Sequence, residues 1–150
     1  MSAVVGRAKQ ADLDRRLEKR ADADFVLAMA KHLSNRDRLL IEHLYREGRT
    51  AADFARLARR NVRTVQHRVK SILKRIYSPE FRYLLAHEDV LPRELRSTAR
   101  RLFLEDQGLR GTARLTGLSL HAVRQHRIQI AALLEAKSHV WRLSDAAADD

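Results

Sequence analysis

The chain of 150 residues has no cysteine, and this absence removes several kinds of chemistry at once. Disulfides, thiolate zinc sites and a cysteine nucleophile are all excluded, so the 7 histidines are the only soft metal ligands left. No paired histidine spacing of the H-E-x-x-H type occurs among them, and we expect no metal and no other cofactor. A Gly-rich phosphate loop and a Ser/His/Asp arrangement are also missing, so we expect a protein that is not an enzyme.

Turn formers and aromatic residues are scarce as well. The chain has 5 glycines, 2 prolines and 5% aromatics, against abundant Ala, Leu, Arg and Glu. Few residues are therefore available to build hairpins, and the composition favours helix over sheet. The sequence predicts an all-α fold.

Long apolar runs are the third absence. No stretch approaches the roughly 20 apolar residues that span a bilayer, and the first residues, MSAVVGRAKQ, lack the apolar segment of a secretory signal. We therefore expect a cytoplasmic protein with no membrane-spanning segment. The formal charge of +11 makes a polyanion the natural partner, and of the two candidates, nucleic acid first and an anionic membrane surface second, we expect nucleic acid and no membrane.

Hydrophobic periodicity divides the chain into helical segments. Apolar residues recur at three- and four-residue steps from Asp12 to about His32, at Leu13, Leu17, Ala21, Phe25 and Ala28, which predicts a leading amphipathic helix. Ser34, Thr50 and Asn61 stand where N-caps of three following helices are expected, and Gly48 ends the first of these. The predicted organisation is a leading helix at 1–32, a helix-turn-helix module at 33–77, a linker at 78–90, a second module at 91–135 and an acidic tail at 136–150.

The last of these helices, NVRTVQHRVKSILKRI from Asn61 to Ile76, has two sharply different faces. Val65, Val69, Ile72 and Ile76 lie at helical spacing on the face that packs on a core, whereas the opposite face is polar and cationic with no carboxylate. An ordinary solvated helix mixes both charge signs. The face is therefore a candidate for a polyanion, although a merely solvated basic face is the simpler alternative.

Residues 33–76 also match residues 91–134 at a constant offset of 58. Identical pairs include Leu44/Leu102, Ala55/Ala113, Val65/Val123 and Ile72/Ile130, mostly at positions of core type. The pattern indicates two copies of one helical scaffold, and chance similarity between two Leu/Arg/Ala-rich segments is the alternative. We call these the first and the second copy.

The segment LSNRDRLLIEHLYREGRTAADFARLARRNVRTVQHRVKSILKRI, from Leu33 to Ile76, resembles region 4 of bacterial RNA polymerase sigma factors and the related response-regulator-type helix-turn-helix modules. The resemblance implies a helix-turn-helix that binds promoter DNA, with the helix from Asn61 as the recognition helix. It has one departure in the turn, where the family commonly carries Leu-Gly-x-Ser and this chain has Ala58, Arg59, Arg60 and Asn61. The glycine that would relieve a positive φ is missing there.

The resemblance does not extend to the promoter-opening part of a sigma factor, because the residues before Leu33 are too few and too poor in aromatics. We therefore expect a sigma-like regulator with double-stranded DNA as its partner. The side chains expected to contact DNA lie mainly on the first copy, with a weaker set on the second: Arg59, Arg60, Asn61, Arg63, Thr64, Gln66, His67, Lys70 and Lys74, then His121, Arg124 and Gln125.

Two features of the second copy leave alternatives open. Its recognition helix has Arg127 and Ile128 where the first copy has Val69 and Lys70, which would turn a cation toward the core and an isoleucine toward solvent. A module that binds RNA polymerase or another transcription factor would fit this arrangement, as would DNA contact by both copies. Non-specific, nucleoid-type DNA binding is a third possibility.

Overall fold

The computed structural model of the protein describes residues 2–148, and the side chains of residues 6–137. Within those residues the secondary structure is helical throughout, with no strand, which confirms the predicted all-α fold. The helices are α1 Ser2–Ala30, α2 Asn35–Tyr45, α3 Ala51–Ala58, α4 Val62–Ile76, α5 Pro79–Ala86, α6 Arg93–Ala99, α7 Leu109–Thr116 and α8 Leu120–Ala148. A 3-10 helix, Glu88–Val90, follows α5, and a π-helix, Arg100–Leu104, continues α6.

Side-chain caps start the helices of the first copy at the residues that the sequence indicated. The Ser34 hydroxyl accepts a hydrogen bond from the Asp37 amide at 3.4 Å, and the Asn61 carboxamide oxygen accepts one from the Arg63 amide at 2.8 Å. Thr50 and Asp53 form a reciprocal capping box, each side chain accepting from the other's backbone N–H. These bonds satisfy amides that a helix cannot satisfy itself, so they fix where α2, α3 and α4 begin.

One continuous core runs through both copies. Ile41, Ile72 and Ile76 of the first copy are fully buried in the same cluster as Leu104 and Ile130 of the second. Helix α1 packs mainly on α2, α3 packs on α4, and α5 and α7 both pack on α8. Because the apolar faces of the two copies meet, neither encloses a core that is separate from the other.

The offset of 58 also relates the backbone of the two copies. The bounds of α3 shifted by 58 are those of α7, and α8 begins at the position that corresponds to the start of α4. Backbone hydrogen bonds repeat too: Leu33 N–H donates to the Ala30 carbonyl, and Leu91 N–H donates to the Glu88 carbonyl. The correspondence therefore includes the turns as well as the apolar positions.

The segment 78–90, expected as a linker with a packed turn or short helix, holds α5 and the 3-10 helix. Ser78 caps α5, Pro79 occupies its first turn, and Phe81 and Leu84 are buried in the common core. At the offset of 58, α5 corresponds to residues 21–28, near the end of α1. This segment is thus a structural part of the second copy.

The expected amphipathic face of α1 is covered only near its end. Leu13, Leu17, Ala21 and Ala28 are exposed, whereas Phe25 packs against the core beside the buried Val26 and Ala30. Its first turns extend beyond the part of the body that could cover an apolar stripe. Pairs along the helix stabilise it locally instead: Arg16 bonds Asp12 at 2.9 Å, and Gln10 donates to Asp14 at 2.9 Å.

Helix α8 is longer than the sequence indicated, since it continues to Ala148 across the segment 136–150 that was expected to be an acidic tail. Among its described side chains the last buried one is that of Leu134, and residues 135–137 are exposed. The sequence also suggests that the apolar residues of the tail dock on the body, but these residues, Val140, Trp141 and Leu143, lie outside the described side chains. Among the described residues, none of the helices combines the length and the hydropathy needed to cross a bilayer.

Candidate nucleic-acid interface

The turn between α3 and α4 forms with an arginine in the left-handed region. Arg59 has a φ of 52°, at the position where the missing glycine was noted from the sequence. Arg60 N–H then donates to the Ala55 carbonyl at 2.8 Å, which closes the end of α3. The turn from α3 into α4 therefore forms with a left-handed arginine in place of glycine, at a backbone cost of about 1 to 2 kcal/mol.

The polar face of α4 is open to solvent. We define it by six side chains that project away from the core, all of them exposed: Arg63, Thr64, Gln66, His67, Lys70 and Lys74. Arg59, Arg60 and Asn61 are also exposed and precede the first turn of α4, where the free N–H groups favour an anion. All nine first-copy residues that the sequence nominated thus lie on one continuous surface around the start and the outer side of α4.

This surface carries positive charge without internal compensation. The sequence has no acid between Asp53 and Glu80. Within the described part of the chain, no ion pair involves Arg59, Arg60, Arg63, Lys70 or Lys74. Their charges are therefore available to a polyanion without breaking an existing pair.

Two other cations of α4 are not on the polar face. Arg68 bonds Asp37 through two nitrogens at 2.9 and 2.7 Å, and Arg75 bonds the same carboxylate at 3.2 Å. Asp106 of the second copy accepts a hydrogen bond from Arg68 at 3.2 Å and forms an ion pair with Arg75 at 3.2 Å. We call Asp37, Arg68, Arg75 and Asp106 the four-charge cluster.

The four-charge cluster removes Arg75 from the cations of α4 that could reach a phosphate. The Arg75 side chain is 14% exposed and is paired with two carboxylates. Asp37 is 1% exposed, and its hydrogen bond raises the pKa of Arg68 more than any other interaction, so that guanidinium stays charged. Sequence alone does not reveal the cluster, because its carboxylates and guanidinium groups are 31 or 38 residues apart in the chain.

The corresponding helix of the second copy starts with standard turn chemistry. Gly117 takes the left-handed position with a φ of 74°, and the Ser119 hydroxyl accepts from the Ala122 amide at 3.0 Å. His121, Arg124 and Gln125 are exposed on the first turns of α8, as the sequence indicated. They form a second polar surface with fewer cations than that of α4.

Two further residues of α8 were expected to break the pattern. Ile128 is indeed 60% exposed. Arg127 is exposed as well, so the expectation of a cation facing the core was wrong. The side of α8 that carries Arg127 is uncovered, whereas Val69 at the corresponding position of α4 packs against the core. At these two positions the second copy therefore exposes an isoleucine and an arginine, whereas the first copy exposes Lys70 and packs a valine against the core.

The second copy has a neutral hydrogen bond near the place of the four-charge cluster. His126 corresponds to Arg68, and its Nδ1 lies 3.1 Å from the hydroxyl oxygen of Thr98 on α6. Leu95, which is buried, corresponds to Asp37. The second copy thus connects α6 to α8 with a histidine–threonine contact and with a leucine at the position of Asp37.

A polar cavity of about 300 Å³ lies elsewhere, between the end of α1 and α6. Lys31, His32, Ser97, Arg100, Arg101 and Glu105 are among the residues that line it. Burial first, and then Arg100, lower the pKa of His32. Arg100 pairs with Glu88 and Arg101 with Glu105, so the cationic groups of the cavity are largely compensated.

Metal ligation has no candidate within the described residues, where no group of three or more His, Asp or Glu side chains could hold an ion. The arrangement that remains is a helix after a short turn, with an uncompensated cationic and hydrogen-bonding surface. No family model matches the chain, and comparisons with curated proteins and with solved structures found no match.

Proposed function

We propose that the protein is a sequence-specific DNA-binding transcription regulator that inserts α4 into the major groove. The observation that carries the proposal is the polar face of α4, exposed and free of acid, directly after the turn that holds α3 against α4. Helix-turn-helix proteins present their recognition helix in this way. The resemblance of Leu33 to Ile76 to sigma region 4 supports the same assignment and a bacterial, cytoplasmic setting.

The side chains on the polar face supply two kinds of contact. Arg63, Gln66 and His67 lie on the first turns, where arginine can bond guanine O6 and N7 and glutamine can bond adenine N6 and N7. Arg59, Arg60, Lys70 and Lys74 surround them and suit phosphate oxygens. Contacts to base edges give sequence preference, whereas contacts to phosphates position the helix and make affinity depend on salt.

Selection of bound duplexes from a random pool tests this proposal directly. We expect enrichment of one sequence, protection of that sequence in footprinting, and loss of preference at a single base pair for each of Arg63→Ala and Gln66→Ala. Lys74→Ala should weaken binding to all sequences similarly, which makes it the matched control. The proposal fails if no duplex is protected at moderate salt.

A second candidate function follows from Ile128. This isoleucine is exposed on α8, where the first copy has a lysine, and an isolated apolar side chain on a basic surface suits a protein contact. The protein would then bind RNA polymerase or another transcription factor through the second copy. A pull-down from cell lysate separates the two functions, since retention of a polymerase subunit after nuclease treatment supports protein binding and its loss supports DNA binding.

Non-specific DNA binding would give a different result in the same assays. The selected and random duplexes would then bind with equal affinity across a salt series. A preference for the selected duplex that persists as salt rises supports sequence-specific recognition instead.

A further inference from the structure

Asp106 of the second copy contacts the recognition helix of the first. It lies in the turn between the π-helix and α7, has a φ of 55°, accepts a hydrogen bond from Nη1 of Arg68 at 3.2 Å, and forms an ion pair with Nη1 of Arg75 at 3.2 Å. Gly48 stands at the corresponding position of the first copy, with a φ of 66°. The second copy therefore has an aspartate at a turn position where the first copy has a glycine, although glycine adopts this φ equally well. The Asp106 carboxylate contacts two cations of α4.

The two carboxylates of the four-charge cluster have different roles. Asp37 is buried and receives two hydrogen bonds from Arg68 and one from Arg75, so it neutralises the inner side of both guanidinium groups. The Asp106 side chain is 46% exposed and meets the outer nitrogens, and Arg68 is 40% exposed. An exposed pair of this kind contributes little to stability and exchanges readily with solvent or another anion.

Arg68 lies at the edge of the polar face of α4. It follows Thr64 by four residues and precedes Ser71 by three, so the three side chains share one flank of the helix. A helix in the major groove has a phosphate backbone along each flank. On this flank the outer nitrogen of Arg68 is a phosphate donor that Asp106 already occupies.

We infer that Asp106 competes with DNA phosphate for Arg68, so that the second copy weakens DNA binding by α4. This inference rests on the proposed DNA-binding function. When α4 binds, a phosphate oxygen replaces the Asp106 carboxylate at Nη1 of Arg68, and the inner bonds to Asp37 stay in place. The acid also adds a negative charge beside an otherwise cationic flank, which opposes the approach of the phosphate backbone.

Two substitutions remove the charge and keep the turn, Asp106→Asn and Asp106→Gly, since asparagine and glycine both accept a positive φ. Asp89→Asn is the matched control for net charge. Asp89 is exposed in the 3-10 helix, and its carboxylate takes part in no ion pair of the described residues. Affinity for the selected duplex is measured by fluorescence anisotropy between about 50 and 200 mM salt.

Both Asp106 variants should bind the duplex about fivefold to tenfold more tightly at about 0.1 M salt, with a slope of log K against log salt steeper by about 0.9. Asp89→Asn should change affinity by less than about twofold, because a distant exposed charge is screened. If the wild-type protein binds the duplex and the Asp106 variants change affinity no more than Asp89→Asn does, the proposed competition between Asp106 and phosphate is overturned. The proposed DNA-binding function then stands. If the wild-type protein binds no duplex, the proposed function falls and the competition falls with it.

Discussion

The two copies differ most in how they join their first helix, α2 or α6, to the helix after the turn, α4 or α8. The first copy uses charges: Asp37 on α2 holds Arg68 and Arg75 of α4. The second copy uses the neutral contact between Thr98 and His126, beside a buried leucine at the position of Asp37. A buried ion pair needs every partner to be present, whereas a neutral contact in an apolar setting tolerates the loss of one. The same scaffold is thus stabilised in one copy by complementary charge and in the other by packing.

Removal of Asp37 should have the largest effect, because it leaves two arginines without their inner partner. We expect Asp37→Asn to lower the free energy of unfolding by about 3 kcal/mol, as is typical when one member of a buried pair is removed. Thr98→Val in the second copy should lower it by about 1 kcal/mol or less. Urea denaturation followed by circular dichroism measures both, and equal losses would contradict the distinction between the copies.

If α4 binds DNA as proposed, substitutions on the polar surfaces of α4 and α8 should differ by a smaller amount in their effect on affinity. Arg63→Ala in the first copy should weaken binding to the selected duplex by about 1 to 3 kcal/mol, since arginine can make a bidentate contact to guanine. His121→Ala, at the corresponding position of α8, should change affinity by less than about 0.5 kcal/mol. Fluorescence anisotropy titrations at one fixed salt concentration measure both changes in affinity. A larger effect of His121→Ala than of Arg63→Ala would assign the DNA-contacting surface to the second copy.

Arg59 and Gly117 occupy corresponding left-handed positions, so their residue types can be exchanged between the two copies. Arg59→Gly should raise the free energy of unfolding by about 1 kcal/mol, because glycine adopts a positive φ without strain, and Gly117→Arg should lower it by a similar amount. Thermal unfolding of both variants tests the exchange. If Arg59→Gly left stability unchanged, the left-handed arginine would not be strained. The same variant should weaken DNA binding, since it removes an exposed cation.

The pH dependence of stability should show the smallest difference between the copies. Burial and Arg100 lower the pKa of His32 below its usual value of 6.5, so the unfolded chain binds the proton more readily than the folded one. The stabilisation is therefore complete above pH 6.5 and is lost as pH falls from there toward the lowered pKa. Val90 occupies the corresponding turn of the second copy, and His32→Val should remove this part of the pH dependence in urea denaturation.

The structural features that sequence alone predicted depend on residues close to one another in the chain. The caps at Ser34, Thr50 and Asn61 and the strained turn at Arg59 follow from residue types within a few positions of one another. The apolar positions Val65 and Ile72, and their partners at the offset of 58, were also found because helical periodicity marks them. The same periodicity predicted which side chains of α4 are exposed, because they lie on the face opposite the apolar positions.

What sequence missed depends on contacts between distant segments. Nothing near Asp106 in the chain indicates that it meets Arg68 and Arg75, and the fate of Arg75 could be known only once α2 and the second copy were placed beside α4. Most of the expected face of α1 is exposed for a related reason: periodicity shows which residues share a face, but the rest of the fold decides which turns are covered. The function of the polar face stays a prediction that the DNA-binding experiments test.

The continuous core has a consequence for how far the second copy can diverge. Leu104, Ile130 and Leu134 belong to the same buried cluster as residues of the first copy, so selection for a folded chain acts on the buried half of the second copy whatever its surface does. Exposed positions such as Ile128 are not under that selection. A chain cut after Ile76 would lose the second-copy part of the cluster, so α4 and the second copy are inherited together.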